Sequence, residues 1–242
     1  MEWFFLFYAG DDPRASFMKS SLTIPLAIVA GGIIIAVAVY VSMPKKPETG
    51  AGNPALVRPV GASDHILGSP TAPIMIIEYS DFDCEYCKVF HETLHQIVAN
   101  EGANGKVAWV FRHFPLSEIH PNALAHARAA ECAAETFGNE AFWKFSNALF
   151  ANQPADPSNY GTIASSVGIF GDSFATCYSN ISPEIDARIA ADRKNAMDIG
   201  SDGTPYSIIL VNRSAGWQMY EVMNGAYSYD AVKQLIDQAF AQ

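Results

Sequence analysis

Basic residues are scarce in this chain of 242 residues. Its 15 lysines and arginines are outnumbered by 25 aspartates and glutamates, which gives a formal net charge of −10. This balance argues against nucleic acid or an anionic membrane surface as a partner, since both attract clustered positive charge. The sequence also contains no internal repeat. Cysteine is scarce too, and the four cysteines form an even number, which suits an oxidising compartment outside the cytoplasm.

Charged side chains are absent from one long stretch near the start of the chain, residues 22–43. An apolar run of this length is sufficient to cross a bilayer as a helix. We therefore predict a transmembrane anchor at residues 22–43, with residues 1–21 as an N-terminal cytoplasmic segment. A cleaved signal peptide is the alternative, because Ala36-Val37-Ala38 resembles a cleavage site. The apolar run continues beyond that site, which favours an uncleaved anchor.

The segment that follows is rich in proline and glycine and has little apolar periodicity. We interpret residues 44–62 as a flexible linker that holds a folded domain away from the membrane. The folded domain is then predicted to span residues 63–242, on the extracytoplasmic side, either in a periplasm or on the outer face of the cell membrane.

The stretch at residues 72–87, APIMIIEYSDFDCEYC, contains the most informative pattern in the chain. A nearly continuous apolar run at 73–79 predicts a buried strand, and the cysteines Cys84 and Cys87 follow it. Apolar residues then recur at helical spacing, so a helix over 84–101 is predicted. The first cysteine would lie at the helix N-terminus, where unpaired backbone N–H groups and the macrodipole stabilise a thiolate. This arrangement indicates a redox site.

The remaining elements predict one α/β domain with a helical insertion. Apolar, β-branched residues at 107–114 complete a βαβ unit with a parallel strand pair. The pattern is helical from about 119 to 200, and strands are predicted again at 206–211 and 217–222. A last helix covers 229–240. This order places the helical block inside an α/β fold.

These features together resemble the thioredoxin fold, and the large helical insertion resembles DsbA-type thiol–disulfide oxidoreductases, particularly membrane-anchored bacterial forms. The resemblance covers roughly residues 63–242. It rests on the strand–CxxC–helix unit and on four further segments: Asp64–Gly68, Phe111–Leu116, Ala129–Ala133 and Gly203-Thr204-Pro205.

The resemblance implies roles for individual residues at the redox site. Cys84 would exchange disulfides through a mixed disulfide that Cys87 resolves. Glu78, an acid within an apolar strand, would relay a proton for Cys87, although a carboxylate at a strand end can instead reach water. Pro205 would be a cis-proline beside the disulfide, and an ordinary trans proline that opens a strand is the alternative.

The resemblance also implies a substrate-binding surface, in which Thr204, Pro205 and Tyr86 would bind an extended substrate peptide. Outside the cytoplasm, Cys132 and Cys177 are expected to form a structural disulfide that ties the first helix of the insertion to a later one. Free buried thiols are the alternative. Closing a loop of this length would stabilise the fold by about 4 kcal/mol in the chain-entropy model.

Acidic residues surround the first cysteine of the pair. Asp81 and Asp83 lie nearby, and the dipeptide between the cysteines is Glu85-Tyr86 rather than the Pro-His of the most oxidising family members. Carboxylates disfavour a neighbouring thiolate. We therefore expect a higher Cys84 pKa than in those members, and a weaker dithiol oxidant.

Two metal-binding alternatives can be written from the same residues. His91, Glu92 and His95 match the H-E-x-x-H pattern of zinc metallopeptidases. Cys84 and Cys87 can also form half of a zinc site, with Cys132 and Cys177 as further ligands, but their spacing is not finger-like. The simplest interpretation of His120 and His126 is that they lie on helix surfaces.

The favoured prediction is an enzyme that forms disulfide bonds in secreted or envelope proteins. Its partners would be cysteine-containing secreted substrates and a membrane redox partner that reoxidises it, and we expect a monomer. No metal or organic cofactor is implied. A disulfide reductase or isomerase of the same fold is the main alternative.

Overall fold

The computed structural model describes residues 56–241, together with Ile28 and Asn53. Residues 49–242 form one compact unit. Apart from Ile28, the predicted cytoplasmic segment at 1–21 and the predicted anchor at 22–43 lie outside the described residues. Within the described part of the chain, no helix combines the length and apolar character needed to cross a membrane.

A five-stranded mixed sheet lies at the centre of this unit, in the order β1-β3-β2-β4-β5. β2 and β3 are parallel, and the other three neighbouring pairs are antiparallel. The short edge strand β1 was not predicted. The strands are β1 (His65–Leu67), β2 (Ile74–Ser80), β3 (Val107–His113), β4 (Tyr206–Arg213) and β5 (Gly216–Asn224).

Seven α-helices of the described chain surround the sheet. Because successive strand residues point to opposite faces, each strand contributes to two separate cores. The helices are α1 (Glu85–Asn100), α2 (Ala123–Phe137), α3 (Asn139–Ala151), α4 (Tyr160–Ser166), α5 (Asp172–Ser179), α6 (Pro183–Asp198) and α7 (Tyr229–Ala241), with a short 3-10 helix at Pro157–Asn159.

Helices α1 and α7 contact each other and share the larger core with one face of the sheet. The buried side of α1 carries Cys87, Phe90, Leu94 and Ile97. The helical block between β3 and β4 extends the same core. Within this block Cys132 of α2 and Cys177 of α5 are joined by a disulfide, with an S–S distance of 2.01 Å.

Helix α6 covers the opposite face and contacts β2 and β3. Residues 56–62, which the sequence assigns to the linker, also pack there. Val57 and Val60 lie against the smaller core, and Arg58 forms ion pairs with Asp64 and Asp192 at 3.2 and 2.7 Å. Val57 and Val60 are only partly buried, and Arg58 is an ordinary surface residue type, so nothing in the local pattern distinguishes this segment from a solvated linker.

Candidate active site

The two cysteines of the CxxC pair lie at the N-terminus of α1, after the turn that follows β2. β2 ends at Ser80, three residues form a turn, and Cys84 occupies the N-cap position of α1. No side chain caps the helix there. The backbone N–H groups of Tyr86 and Cys87 interact with the Cys84 sulfur instead, as expected for an anion at a helix N-terminus.

The two thiols have very different environments. Both are free in the structure, but Cys84 is 7% exposed and Cys87 is completely buried. A hydrogen bond from the Cys87 thiol is the main cause that lowers the pKa of Cys84, to about 6. Burial is the main cause that raises the pKa of Cys87 well above its usual range. Cys84 is therefore the ionisable, accessible sulfur, and Cys87 retains its proton.

Glu78 lies inside the larger core, on the face of β2 that α1 covers. Its side chain is completely buried, so it does not reach water at a strand end. Burial raises its pKa to about 8, although Ser80 donates a hydrogen bond to Glu78 Oε1 at 2.9 Å. The negative charge of Glu78 also contributes to the raised pKa of Cys87. A carboxyl that interacts with the buried thiol and titrates near neutral pH is suited to exchange a proton with it.

The loop before β4 brings a second chain segment to the same sulfur. The Thr204–Pro205 peptide bond is cis, and the Cys84 thiol donates a hydrogen bond to the Thr204 carbonyl at 3.4 Å. Thr204 also lines a groove of about 480 Å³ together with Cys84 and Tyr86. Tyr86 is 62% exposed, so an aromatic side chain is available at the rim of this groove.

The two aspartates before Cys84 are each paired with a histidine. Asp81 Oδ2 lies 2.9 Å from His120 Nδ1, and Asp83 Oδ1 lies 3.0 Å from His126 Nε2. His126 is completely buried, and its other ring nitrogen contacts the Tyr160 hydroxyl. The prediction that His126 lies on a helix surface is therefore wrong. His120 precedes α2 and is partly buried, so it does not lie on a helix surface either.

Gln153 contributes to the site without any signal in the sequence. It follows α3, and its amide donates hydrogen bonds to the carbonyls of Phe82 and Cys84 at 2.7 and 3.1 Å. These bonds hold the turn that carries Cys84. A loop glutamine 69 residues from Cys84 has no local pattern that would have identified it.

The H-E-x-x-H residues do not form a metallopeptidase site. His91 is almost fully buried, and both His91 Nε2 and His95 Nε2 lie 2.7 Å from the Asn147 side-chain oxygen. Burial lowers the pKa of His91 to about 3. The two rings pack against Trp109, and Glu92 is exposed. Among the described residues these histidines belong to no group of three potential metal ligands. The cysteine-based zinc alternative also fails, because Cys132 and Cys177 are bonded to each other.

One buried group of potential metal ligands does occur among the described residues, formed by His65, His113 and Glu131. Both histidines place Nε2 within 2.9 Å of the same oxygen, Glu131 Oε1. Arg188 donates to the other carboxylate oxygen at 2.7 Å. Glu131 Oε1 lies between the two imidazole rings, where a metal ion would have to bind, and the Arg188 guanidinium compensates the carboxylate charge. This group is best described as a hydrogen-bonded ionic cluster that holds β1, β3, α2 and α6 together.

The fold is shared with solved DsbA structures. Wolbachia pipientis α-DsbA1 aligns with a TM-score of 0.66 and 25% identity, covering 78% of this chain and 96% of that protein. Pseudomonas aeruginosa DsbA2 aligns with a TM-score of 0.60 and 25% identity, covering 75% and 96%. The architecture is therefore a DsbA-type thioredoxin fold.

Similar sequences include parts of much longer proteins. A Na⁺/H⁺ antiporter NhaA 1 from Mycolicibacterium gilvum is 28% identical over 85% of this chain and 32% of its own length. An NhaA 3 antiporter from Salinispora tropica is 31% identical over 74% of this chain and 25% of its own length. The chain thus spans about a third or less of these two relatives. The thioredoxin family model matches residues 62–238, and the chain belongs to that family.

Proposed function

We propose that this chain is an extracytoplasmic thiol–disulfide oxidoreductase that forms disulfide bonds in secreted or envelope proteins through Cys84 and Cys87. The observation that carries the proposal is the difference between the two thiols. Cys84 borders an open groove and has a pKa of about 6, whereas Cys87 is buried and has a raised pKa. Near neutral pH the dithiol then holds one stable thiolate.

The difference in pKa between Cys84 and Cys87 favours transfer of electrons from substrate thiols to this pair, which is the direction of an oxidant. A stabilised thiolate favours the reduced form of the pair, which makes the disulfide form a better electron acceptor. We expected Asp81 and Asp83 to oppose the thiolate as free carboxylates. Each is hydrogen-bonded to a histidine, and the raised pKa of His120 favours a positive charge beside Asp81, which weakens the argument from Asp81 for a mild oxidant.

The proposed reaction starts from the Cys84–Cys87 disulfide. A substrate thiolate attacks the Cys84 sulfur, the disulfide breaks, and Cys87 leaves as a thiolate that takes a proton from Glu78. A second substrate thiolate then attacks the substrate sulfur of the mixed disulfide, and Cys84 leaves as a thiolate. Two electrons have moved from the substrate thiols to the Cys84–Cys87 pair, and a membrane redox partner would remove them.

The substrate in this proposal is an unfolded or extended polypeptide. The loop at Thr204 and Pro205 lies beside Cys84 and offers a backbone edge, and such edges bind extended peptides by main-chain hydrogen bonds. The groove also carries Tyr86 and Ile119, whose side chains are largely exposed. These residues suit apolar side chains next to a substrate cysteine.

Oxidative refolding of a reduced, multi-disulfide protein tests the proposal. The oxidised protein should accelerate recovery of native activity, and Cys84→Ser should abolish the effect. His95→Gln is a suitable control because His95 lies on α1 away from the groove. Turnover in an insulin-reduction assay without any oxidative refolding activity would instead identify a reductase, and preferential recovery of a scrambled substrate by the reduced protein would identify an isomerase.

A further inference from the structure

The groove beside Cys84 is lined mostly by acidic and neutral side chains. His120 is the single side chain among its described lining residues that can carry a positive charge. Neighbouring carboxylates disfavour a thiolate and a neighbouring cation favours it, so a histidine on the same groove bears on the ionisation of Cys84. The ionisable groups that face or flank the groove are Asp81, Asp83, Cys84, Glu85, Tyr86, His120 and Asp202.

Asp81 fixes the orientation of His120. Its carboxylate is buried, and Oδ2 accepts hydrogen bonds from the Leu116 backbone N–H at 2.8 Å and from His120 Nδ1 at 2.9 Å. The other oxygen accepts from the Asp83 N–H at 2.8 Å. Asp81 does not line the groove, whereas His120 does. The imidazole therefore stands between the Asp81 carboxylate and the groove that Cys84 borders.

The surroundings favour the protonated form of His120. Burial disfavours the imidazolium, but the hydrogen bond and charge of Asp81, together with the charges of Cys84 and Asp83, outweigh it and raise the pKa of His120. The interaction between His120 and Cys84 acts through charge, and it is attractive when the sulfur is a thiolate. Asp83 is hydrogen-bonded to His126, but burial lowers the pKa of His126, so His120 is the histidine whose surroundings favour a positive charge beside this groove.

We propose that His120, held in place by Asp81, is the cation that stabilises the Cys84 thiolate in this protein. The inference rests on the proposed redox function of Cys84. In the step that releases the oxidised substrate, the bond between Cys84 and the substrate sulfur breaks and its electron pair remains on Cys84. A positive charge across the groove lowers the free energy of that leaving thiolate. His120 lies in a loop 36 residues after Cys84. The Glu85-Tyr86 dipeptide carries no positive charge, and this loop provides one.

The thiolate titration of Cys84 in the full chain tests this role. Thiolate absorbance near 240 nm is followed against pH in wild type, His120→Gln and His120→Lys. Glutamine keeps a donor for Asp81 but no charge, and we expect the titration midpoint to rise by about one pH unit. Lysine keeps the charge and should restore most of the shift. His95→Gln is the matched control and should leave the midpoint unchanged. An unchanged midpoint in folded His120→Gln overturns the proposal, as does a rise that lysine fails to reverse.

A second measurement needs no variant and separates an electrostatic from a structural role. Coupling between two charges is reciprocal, so the thiolate must raise the His120 pKa as much as His120 lowers that of Cys84. NMR titration of the wild-type imidazole should give a higher His120 pKa in the dithiol form than in the disulfide form. Equal values in the two forms overturn the proposal even if His120→Gln fails to fold.

These outcomes are distinguishable from failure of the proposed function. A shifted thiolate titration without refolding activity would leave the His120 inference standing and remove the oxidase proposal. Refolding activity together with an unshifted thiolate titration would support the oxidase proposal and remove the His120 inference.

Discussion

The buried carboxyl of Glu78 makes the stability of the folded domain depend on pH in a defined direction. Burial raises its pKa from 4.5 to about 8, so the folded protein keeps a proton that the unfolded chain releases. Raising the pH between these two values therefore favours the unfolded state. At about 1.4 kcal/mol for each pKa unit, full ionisation of Glu78 costs about 5 kcal/mol in folded-state stability.

Glu78→Gln removes this titration and isolates its contribution. Glutamine has a similar shape, carries no charge and retains an oxygen that can accept from Ser80. We expect the stability of wild type, relative to the variant, to fall by about 1.4 kcal/mol per pH unit from about pH 5 to pH 8. Above pH 8 the difference should level off. The constant offset between the two proteins depends on how the glutamine amide is accommodated, but the slope does not.

Urea unfolding of the disulfide form at several pH values between 5 and 9 measures this slope. The disulfide form is used because Cys84 then carries no charge and cannot affect the pKa of Glu78. Burial, which is the largest cause of the raised Glu78 pKa, is unchanged in that form. Glu92→Gln is the matched control, since Glu92 is exposed on α1 and its replacement should leave the pH dependence unchanged. Parallel stability curves for wild type and Glu78→Gln would refute both the raised pKa and the suggested proton exchange with Cys87.

Three further changes have expected costs in the free energy of unfolding. Replacing Cys132 and Cys177 by alanine opens a loop with a separation of 45 residues and should cost about 4 kcal/mol in urea unfolding. Arg112→Met removes the buried guanidinium that contacts the Asp64 carboxylate at 2.9 Å and leaves only the more exposed Arg58 at 3.2 Å, which should cost about 3 kcal/mol. Gln153→Ala frees two backbone carbonyls at the site and should cost about 1–3 kcal/mol, with slower disulfide exchange measured by thiol trapping.

Matched surface changes provide the controls. Lys144→Met removes a solvent-exposed ion pair with Glu140 and should leave the stability nearly unchanged, because solvent screens the pair. Gln96→Ala replaces an exposed glutamine on α1 and should leave the exchange rate unchanged. A cost for Arg112→Met no larger than that for Lys144→Met would contradict the buried ion pair. If stability is unaltered after loss of the Cys132–Cys177 disulfide, the unfolded chain gains little conformational entropy when the loop is opened, and the predicted cost is wrong.

The sequence predicted those parts of the fold that depend on local pattern. The run at 73–79 corresponds to β2 at Ile74–Ser80, and helical spacing after Cys87 corresponds to α1 at Glu85–Asn100. The late strands at 206–211 and 217–222 lie within β4 and β5. Periodicity determines which side of a strand or helix is buried, and β2, α1 and β4 bury one side or both over most of their length.

What the sequence did not predict depends on pairs of residues that are distant along the chain. Strand β1 has only three residues, and it is defined by pairing with β3 rather than by its own pattern. The ordered segment at 56–62 is held by Arg58 and its contacts to α6. His126 is buried because Asp83 and Tyr160 satisfy both of its ring nitrogens. No single-residue propensity contains such information.

The same long-range pairing changes the electrostatics of the candidate site. Reading along the chain, Asp81 and Asp83 are two negative charges within three residues of the nucleophile, and they should destabilise its thiolate. In three dimensions His120 and His126 pair with them, so the local field depends on segments that fold back onto the turn before α1. A charge count within one motif therefore leaves out the histidines that the fold brings to these two carboxylates.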